Sequence, residues 1–387
     1  MTTIDLCAGI GGIRRGFELA GDFENILTAE IDKSAQKTYE TLFGETEFYD
    51  VTDEDSIIDA INKENKKVDV VLAGFPCQAF SLSGKRLGFK DTTRGTIFFN
   101  VQSLIGKLKP KAFFLENVAN LFSHNKGNTF KIIIDTLEND LNYKVIGVYR
   151  NLVGGISYER SSFVRNTCNF GLPQNRPRTY IMGFSREYYG DVIHVLDSLE
   201  LPKSRPGEPI FKGLDEIIDP KVDLHYYLST GFLTTLINHK KRQKAHKNGF
   251  GYSVVYDSEN TANNGETMAH TIMATGGSGK ERNLVRQPGP EIEAWFRNHP
   301  LPTDIYPGKK SNLNRECIRA MTPTEWGRLQ GFIGYGFIEN GVDQFRFPEN
   351  MKDTAKYKQF GNSVSIPVIE TMAEFMVQCF RLLGENQ

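Results

Sequence analysis

Short, almost uninterrupted apolar runs alternate with amphipathic segments over the first 185 residues of this 387-residue chain. Each run is followed by a polar or glycine-rich turn, and the runs lie at residues 3–6, 26–29, 68–73, 112–115 and 179–184. Strands that are buried on both faces have this composition, whereas half-exposed strands alternate apolar and polar residues. The pattern therefore predicts an α/β domain whose mostly parallel sheet carries helices on both faces and binds ligands beyond the carboxyl ends of its strands.

The pattern changes after the last of these runs. Between residues 186 and 315 prolines are frequent and helical periodicity is weak, which predicts a smaller domain of short strands and long loops. Thr322, followed by a proline and Glu325, is typical of a helix start. Residues 360–364 are interpreted as a polar turn, and residues 368–382 as a final helix.

Composition narrows the class of protein further. Hydrophobic residues make up 39% of the chain, and we find neither a membrane-spanning apolar run nor a secretory signal. The five cysteines are odd in number and form no C-x-x-C pair, which argues against disulfides and against a metal site. We expect a cytoplasmic protein with reduced thiols. Residues 201–315 carry a net charge of +4 within a chain of −1, an excess that attracts polyanions.

A glycine-rich turn follows the first apolar run. Gly9-Ile10-Gly11-Gly12 lacks the third glycine of the dinucleotide fingerprint, because Arg14 occupies that position, so a nicotinamide oxidoreductase is disfavoured. Glu30 and Asp32 end the next run, where a carboxylate can accept hydrogen bonds from ribose hydroxyls. These residues fit a single nucleoside such as S-adenosylmethionine, although an ordinary tight turn would look the same.

Three further segments carry reactive or charged side chains. Cys77 follows a predicted buried strand on a turn stiffened by Pro76, a position that suits a nucleophilic thiol as well as a buried structural one. Glu116 ends another strand and is interpreted as a general acid, or alternatively as a salt-bridged or capping residue. Arg176 and Arg178, two residues apart in an extended segment, can together hold a carboxylate, a phosphate or a base carbonyl.

Seven blocks occur in a fixed order along the chain. They are Asp5-Leu6 with Gly9-Ile10-Gly11-Gly12, Pro76-Cys77-Gln78, Arg94-Gly95-Thr96-Ile97-Phe98-Phe99, Glu116-Asn117-Val118, Gln174-Asn175-Arg176-Pro177-Arg178, Arg319-Ala320-Met321-Thr322-Pro323 and Gly361-Asn362-Ser363-Val364. In this order they resemble the cytosine-5 DNA methyltransferase family. The resemblance implies a Rossmann-like S-adenosylmethionine-dependent methyltransferase domain at residues 1–185 and 316–387, and a target-recognition domain at 186–315.

The resemblance also assigns catalytic roles. Cys77 would add to C6 of a cytosine flipped out of the duplex, and Glu116 would bind N3 and the exocyclic amine. Arg178 would hold the base carbonyl, and Arg176 would support the site. C5 would then accept the methyl group of S-adenosylmethionine, and loss of the C5 proton and of Cys77 would restore the aromatic ring.

Binding residues follow from the same resemblance. The expected cofactor-binding residues are Ile10, Gly11, Glu30, Asp50, Val51, Pro76, Ile97, Asn362 and Val364. The expected DNA-binding residues are Gln78, Ser81, Ser83, Lys85 and Arg86 in a closing loop, with Ser278 filling the space of the flipped base and Arg282 reading a guanine. The segments Asn248-Gly249-Phe250-Gly251-Tyr252 and 276–285 are most similar to members that modify CCGG and, less closely, to members that modify CCWGG.

Four departures from the family pattern stand out. Cys7 replaces the usual phenylalanine and Ile31 the usual tryptophan, which removes aromatic contacts to the cofactor. Pro177 replaces the usual glutamate between the two arginines. The stretch 151–165 is longer than is typical, and no role follows from it.

Two other functions remain open at this point. A tRNA cytosine-5 methyltransferase shares the catalytic blocks but usually has a smaller recognition region. A catalytically silent DNA-binding regulator is disfavoured by the intact Cys77, Glu116 and Arg178 and by the absence of a helix-turn-helix segment before Asp5. The favoured prediction is a monomeric bacterial or phage restriction-modification enzyme that acts on duplex DNA, with a possible cognate endonuclease for the same site.

Overall fold

The computed structural model describes residues 1–63, 65–76, 97–151, 155–247, 251–260, 268–274 and 280–385. The strands of these segments, numbered in chain order, are β1 (Thr2–Leu6), β2 (Glu24–Ala29), β3 (Val70–Gly74), β4 (Ala112–Val118), β5 (Tyr143–Val145), β6 (Tyr149–Arg150), β7 (Ile156–Ser157), β8 (Val164–Asn166), β9 (Gln174–Asn175), β10 (Pro177–Ser185), β11 (Val254–Asp257), β12 (Ala269–His270), β13 (Leu284–Arg286), β14 (Ile318–Ala320), β15 (Ile338–Glu339) and β16 (Val342–Asp343).

The α-helices of the same segments are α1 (Gly12–Ala20), α2 (Lys33–Phe43), α3 (Glu54–Lys63), α4 (Ile97–Leu108), α5 (Asn128–Asp135), α6 (Arg160–Phe163), α7 (Arg186–Tyr189), α8 (Thr230–Ala245), α9 (Pro290–Asn298), α10 (Pro323–Leu329), α11 (Asp353–Asn362) and α12 (Ile366–Leu382). No helix in these parts of the chain is long and apolar enough to cross a membrane.

A seven-stranded sheet forms the centre of the fold, in the order β2-β1-β3-β4-β10-β5, with β8 also pairing with β10. The pairs β1–β2, β1–β3 and β3–β4 are parallel, while β10 runs antiparallel to β4, β5 and β8. Because β4, β5 and β8 all oppose β10, they run in the same direction as β1, β2 and β3. Six of the seven strands of this sheet are therefore parallel, and the predicted mostly parallel α/β sheet is confirmed. The carboxyl ends of β1, β3 and β4 meet at one edge, where Glu116 lies.

Helices cover both faces of this sheet, as the composition of its strands predicts. Neighbouring residues of β3 divide between two cores: Val71 packs in a cluster with residues of α3, α4 and α5, and Leu72 in a cluster with residues of α1 and α12. The α1–α12 contact is close, because a Cβ atom on Gly16 would lie 2.6 Å from the Cβ of Ile369. The last helix thus closes the second face of the sheet.

The C-terminal part confirms one prediction and corrects another. Thr322 caps α10, and its hydroxyl and the Glu325 carboxylate form the reciprocal hydrogen bonds of a capping box. Residues 360–362, predicted as part of a turn, instead form the last turn of α11. Packing favours the helix over a turn here, because Phe360 is fully buried and Gly361 lies against the backbone of Met273 and Ala274.

The central part of the chain, residues 186–315, contains more helix than the sequence pattern predicts. Its three-stranded sheet, β11-β13-β14, agrees with the expected short strands. The helices α8 and α9 were not predicted: α8 is largely exposed and buries only Leu233 among its 16 residues, and α9 is a nine-residue helix that buries only Ile292. Leu196 and Leu201 pack in the same core as Phe380, so catalytic-domain packing extends beyond residue 185. The division into two domains stays a prediction.

Asp5 is a buried carboxyl group in the middle of β1. Its Oδ2 accepts a hydrogen bond from the Tyr39 hydroxyl at 3.3 Å, whereas its Oδ1 is buried without a hydrogen-bond partner. Burial raises the pKa of Asp5 to about 8, although the nearby Arg14 guanidinium opposes the rise. The folded protein therefore holds this carboxyl group in its neutral form at pH values where the unfolded chain ionises it.

We expect the substitution Asp5→Asn to flatten the dependence of stability on pH. Between about pH 4 and pH 8 the unfolded chain loses the Asp5 proton and the folded chain keeps it, so the contribution of Asp5 to the free energy of unfolding falls as the pH rises, by at most about 1.4 kcal/mol per pH unit. Urea unfolding at several pH values should show a shallower fall for Asp5→Asn, and an unchanged fall for Asp22→Asn at an exposed position. Equal slopes for wild type and Asp5→Asn would contradict a neutral Asp5.

Candidate active site

The catalytic edge of the sheet is formed where β3 and β4 end side by side. Glu116 in β4 pairs in register with Gly74, the last residue of β3, and Phe75 and Pro76 follow Gly74. A side chain on Gly74 would approach the Ile13 side chain to 3.2 Å and the Glu116 carboxylate to 3.8 Å. The chain segment that leads to the predicted nucleophile thus starts directly beside Glu116.

Several predicted site residues lie outside the described residues. They are Cys77, Gln78, Ser81, Ser83, Lys85, Arg86 and Ser278. Asn248, Gly249 and Phe250 of the expected recognition segment lie outside as well. These assignments stay predictions.

Glu116 and Arg178 form an ion pair at the catalytic edge. Arg178 Nε lies 3.2 Å from Glu116 Oε1, and Glu116 is only 8% exposed. Burial raises the pKa of Glu116, while Arg178 and Arg176 oppose the rise. A buried carboxyl group with a raised pKa can hold a proton near neutral pH and donate it in a hydrogen bond. The roles expected for Glu116 and Arg178 stay predictions.

Arg176 has a different environment from Arg178. Its guanidinium is fully buried; Nη1 donates to the Ile272 carbonyl at 2.7 Å, and Nη2 donates to the carbonyls of Gly361 (3.2 Å) and Ser363. Its Nε has no hydrogen-bond partner. The side chain therefore joins three chain segments through their backbones, which is a supporting role and not contact with a substrate.

Asn117 is a positioning residue, and the sequence alone predicts no role for it. Its Nδ2 donates to the Phe75 carbonyl at 2.7 Å, and its Oδ1 accepts from the Val118 amide at 2.8 Å. The side chain is buried. It ties the segment before Cys77 to β4 and hence to Glu116. A polar residue that directly follows the catalytic acid at a strand end was the available signal.

The predicted cofactor edge lies at the ends of β1 and β2. Glu30 Oε2 accepts from the Gly9 amide and Oε1 from the Asp32 amide, each at 2.7 Å. Gly9 has a φ of 59°, and a Cβ atom built there would meet nothing within 4 Å. Beside Glu30, the Ile31 side chain is 67% exposed. An open glycine turn, a carboxylate and an exposed apolar side chain fit the chemistry of a nucleoside with an adenine ring.

The other expected cofactor residues differ in accessibility. Ile10 is buried in a core cluster, so it can reach a ligand only through its backbone. Asp50 Oδ1 accepts from the Thr52 amide at 2.8 Å and from its hydroxyl at 2.7 Å. The remaining members are buried (Gly11, Val51, Val364), half-buried (Ile97) or exposed (Pro76, Asn362). In the described residues no group of three or more His, Cys, Asp or Glu side chains could hold a metal ion.

The recognition segment reaches the catalytic edge through β12, which pairs in parallel with β9. Asn283 is fully buried; its Oδ1 accepts from the His270 amide at 2.8 Å, and its Nδ2 donates to the His270 carbonyl at 3.1 Å. Burial lowers the pKa of His270, and the neighbouring Arg282 lowers it further. Arg282 therefore lies near β12, and β12 pairs with β9, the strand that precedes Arg176 and Arg178.

Comparison with known proteins gives consistent matches. Residues 1–378 match the family model described as C-5 cytosine-specific DNA methylase. The chain is 40% identical over 97% of its length to the type II methyltransferase M.HpaII of Haemophilus parainfluenzae, covering 89% of that protein. It is 35% identical to the type II methyltransferase M.HaeII of Haemophilus aegyptius, with 98% of this chain and 94% of that one covered.

Solved structures resemble the whole fold. A variant DNMT2 of Spodoptera frugiperda aligns with a TM-score of 0.58 at 18% identity, over 99% of each chain. A putative DNA modification methyltransferase of an Escherichia coli prophage aligns with a TM-score of 0.54 at 20% identity, over 100% of each chain. At these identities the structures support the fold alone.

We expect Arg176→Met to unfold more easily than wild type, since the apolar side chain removes the Arg176 donor from the buried carbonyls of Ile272 and Gly361 and leaves Ser363 with Gln330 Nε2 at 3.4 Å. Each buried polar group left unsatisfied typically costs about 1–3 kcal/mol. Urea unfolding at pH 6 measures it. Arg178→Met is the control: it removes the same charge, and a protonated Glu116 relieves the loss, so the cost should be smaller. Equal stability of Arg176→Met and wild type would refute the joining role.

Proposed function

The chain belongs to the C-5 cytosine-specific DNA methylase family, and we propose that it methylates a cytosine flipped out of the duplex through a covalent adduct on Cys77. The enzyme is a DNA (cytosine-5-)-methyltransferase of restriction-modification type, with DNA as substrate and S-adenosylmethionine as methyl donor. The observation that carries the proposal is the buried Glu116–Arg178 pair beside the segment that leads to Cys77.

The open glycine turn at Gly9, the carboxylate of Glu30 and the exposed Ile31 support a cofactor site at the ends of β1 and β2. When bound, S-adenosylmethionine supplies an electrophilic methyl group. Glu30 would accept hydrogen bonds from the ribose hydroxyls, and Ile31 would pack against the adenine. The Glu30 carboxylate is already held at the sheet edge by hydrogen bonds from the Gly9 and Asp32 amides.

Cys77 supplies the nucleophile in this proposal. Its thiolate forms a bond to C6 of cytosine, and the electron pair of the C5–C6 double bond moves to C5 and N3. C5 becomes nucleophilic enough to take a methyl group. Departure of the C5 proton to a base, followed by departure of the Cys77 thiolate, restores the double bond and frees the enzyme. The duplex hides both ring carbons, so the base has to leave the stack first.

Glu116 stabilises the charge that develops on the ring. In its neutral form the carboxyl group donates a hydrogen bond to N3 and accepts one from the exocyclic amine. The raised pKa of Glu116 favours the proton that this donor role requires. Arg178, paired with Glu116 at 3.2 Å, would bind the base carbonyl and keep the carboxyl group in place. Asn117 positions the segment before Cys77 through the Phe75 carbonyl.

The target sequence and the biological role are parts of the same proposal. Similarity of the recognition segment to CCGG-modifying members suggests CCGG as the site, with Arg282 reading a guanine and Ser278 filling the space of the flipped base. The enzyme would act as a monomer in a bacterial cytoplasm and protect host or phage DNA from an endonuclease for that site. The RNA-directed alternative is less favoured, because the similar curated proteins are type II methyltransferases at 35–40% identity.

Methylation mapping tests the reaction and the site together. We expect wild type, given S-adenosylmethionine and unmethylated genomic DNA, to place 5-methylcytosine at one short motif, and Cys77→Ala to place none. Cys168→Ala, at another free thiol, is the matched control and should behave as wild type. Duplex DNA containing 5-fluorocytosine should become covalently attached to wild type and to Cys168→Ala only, because fluorine cannot leave C5 as a proton does.

Two results would overturn this scheme. Methyl transfer to tRNA but not to duplex DNA would favour the RNA-directed alternative. Unchanged methylation by Cys77→Ala would exclude the covalent route while leaving DNA methylation intact.

The pH profile of Glu116→Gln tests the acid separately. Wild type needs a thiolate, which high pH favours, and a neutral Glu116, which low pH favours, so kcat/KM should pass through a maximum. We expect Glu116→Gln to lose about 100-fold or more in kcat/KM and to lack the fall at high pH, since an amide cannot ionise. The same high-pH fall in Glu116→Gln would assign it to another group.

A further inference from the structure

The helix α8 carries a concentration of positive charge that the proposed reaction does not use. Lys240, Lys241, Arg242 and Lys244 lie in its C-terminal half and are exposed, and Lys247 follows the helix. Residues 224–256 contain these five basic residues and not one Asp or Glu. This local charge of +5 contrasts with the net charge of −1 for the whole chain.

Carboxylates do not neutralise this charge. Among the described residues, Lys241, Arg242 and Lys244 form no side-chain ion pair, whereas surface lysines elsewhere pair closely with acids. Examples of such pairs are Lys109–Glu187, Lys131–Asp135 and Lys221–Glu291, each at 2.8 Å. The α8 cations therefore remain available to an external anion.

Helix stability does not account for the arrangement. Arg242 and Lys244 in the last turn interact favourably with the helix dipole, but Lys240 and Lys241 begin a turn earlier. Lys240 and Lys244 are also i,i+4 neighbours, and like charges at that spacing destabilise a helix. Repulsion between these charges destabilises the helix in the free protein. We expect a bound polyanion to relieve the repulsion and stabilise the helix.

The basic end of α8 lies beside the segment that carries Arg282. Lys240 Nζ stacks over the Tyr252 ring, 4.7 Å from its centre. The next residue, Ser253, donates its amide to the Glu281 carbonyl at 2.9 Å, and its carbonyl accepts from the Leu284 amide at 2.8 Å. A DNA duplex held by the recognition segment would therefore pass close to α8.

We propose that the C-terminal half of α8 binds backbone phosphates of duplex DNA, adding affinity without reading bases. The proposal rests on the proposed function, because it takes DNA as the substrate. Lysine and arginine side chains on a solvent-exposed helix suit this role: phosphate contacts fix a protein on the duplex and carry no sequence information. Neutralised phosphates release counterions, so such contacts leave a measurable dependence on salt.

The test compares two variants that lose the same charge. One is the triple substitution Lys241→Gln, Arg242→Gln and Lys244→Gln on α8. The control is Lys66→Gln, Lys67→Gln and Lys109→Gln, three exposed lysines before β3 and β4, at the opposite edge of the sheet from the active site. Glutamine keeps the helix propensity of lysine and removes the charge. Anisotropy titrations would measure Kd for 30-base-pair duplexes, with and without the target site, between 50 and 300 mM NaCl.

We expect the α8 variant to bind both duplexes about 10-fold more weakly at 150 mM salt, with the slope of log K against log salt smaller by about 1–3, as roughly 0.9 per lost phosphate contact requires. The preference for the target duplex should be unchanged, and the control variant should bind like wild type. Unchanged slope in the α8 variant, equal losses in both variants, or a loss confined to the target duplex would each overturn the proposal.

Folding and function are checked in the same experiment. If the α8 variant melts earlier than wild type, the three single substitutions carry the test, and each should reduce the slope by about 0.9. Wild type that neither binds nor methylates duplex DNA would contradict the proposed function itself. Wild type that methylates DNA, with no change of slope in the α8 variants, would contradict only the role of α8.

Discussion

The burial of one guanidinium group, that of Arg176, holds the parts of this protein in register. It donates to the backbone of Ile272 in the recognition segment and to those of Gly361 and Ser363 at the start of the C-terminal closure. Burial without a carboxylate contact lowers the pKa of Arg176, and the nearby Arg178 lowers it further. Three carbonyl dipoles from two segments compensate this cost only if both segments stay in place beside Arg176, so the site and its frame form together.

The same charge also acts on the chemistry. Burial drives Glu116 toward its neutral form, while Arg178 and then Arg176 favour its ionised form. The protonation of the proposed acid therefore depends on a side chain whose hydrogen bonds are entirely structural. Asn117 adds a second link of this kind, because it ties the Phe75 carbonyl to the strand that carries Glu116. Architecture and reactivity share residues at this edge of the sheet.

The sequence predicted those features that depend on local composition. The buried strands, the capping box at Thr322 and the meeting of strand ends at Glu116 all follow from residue type and order. It did not predict α8, because the helix is largely exposed and fully buries a single leucine among its 16 residues. It also did not separate the roles of Arg176 and Arg178. The two arginines lie two residues apart in an extended segment, so the sequence pattern does not distinguish them. The difference arises because residues 272 and 361–363 pack around Arg176.

A second buried pair shows how recognition can vary without disturbing catalysis. Arg319 and Glu325, both fully buried, meet at 2.6 Å, and Glu325 also accepts from the Asp219 amide at 2.8 Å. This pair anchors the central part at Asp219. A second contact joins Gly361 to Ala274, so closely that a Cβ atom on Gly361 would lie 2.3 Å from the Ala274 amide nitrogen. Arg319 and Glu325 bind each other through side chains, but the contacts that they and Gly361 make with Asp219 and Ala274 involve backbone amide groups. Side chains between them can therefore change with the target sequence, provided that the backbone at Ile272, Ala274 and Asp219 keeps its course.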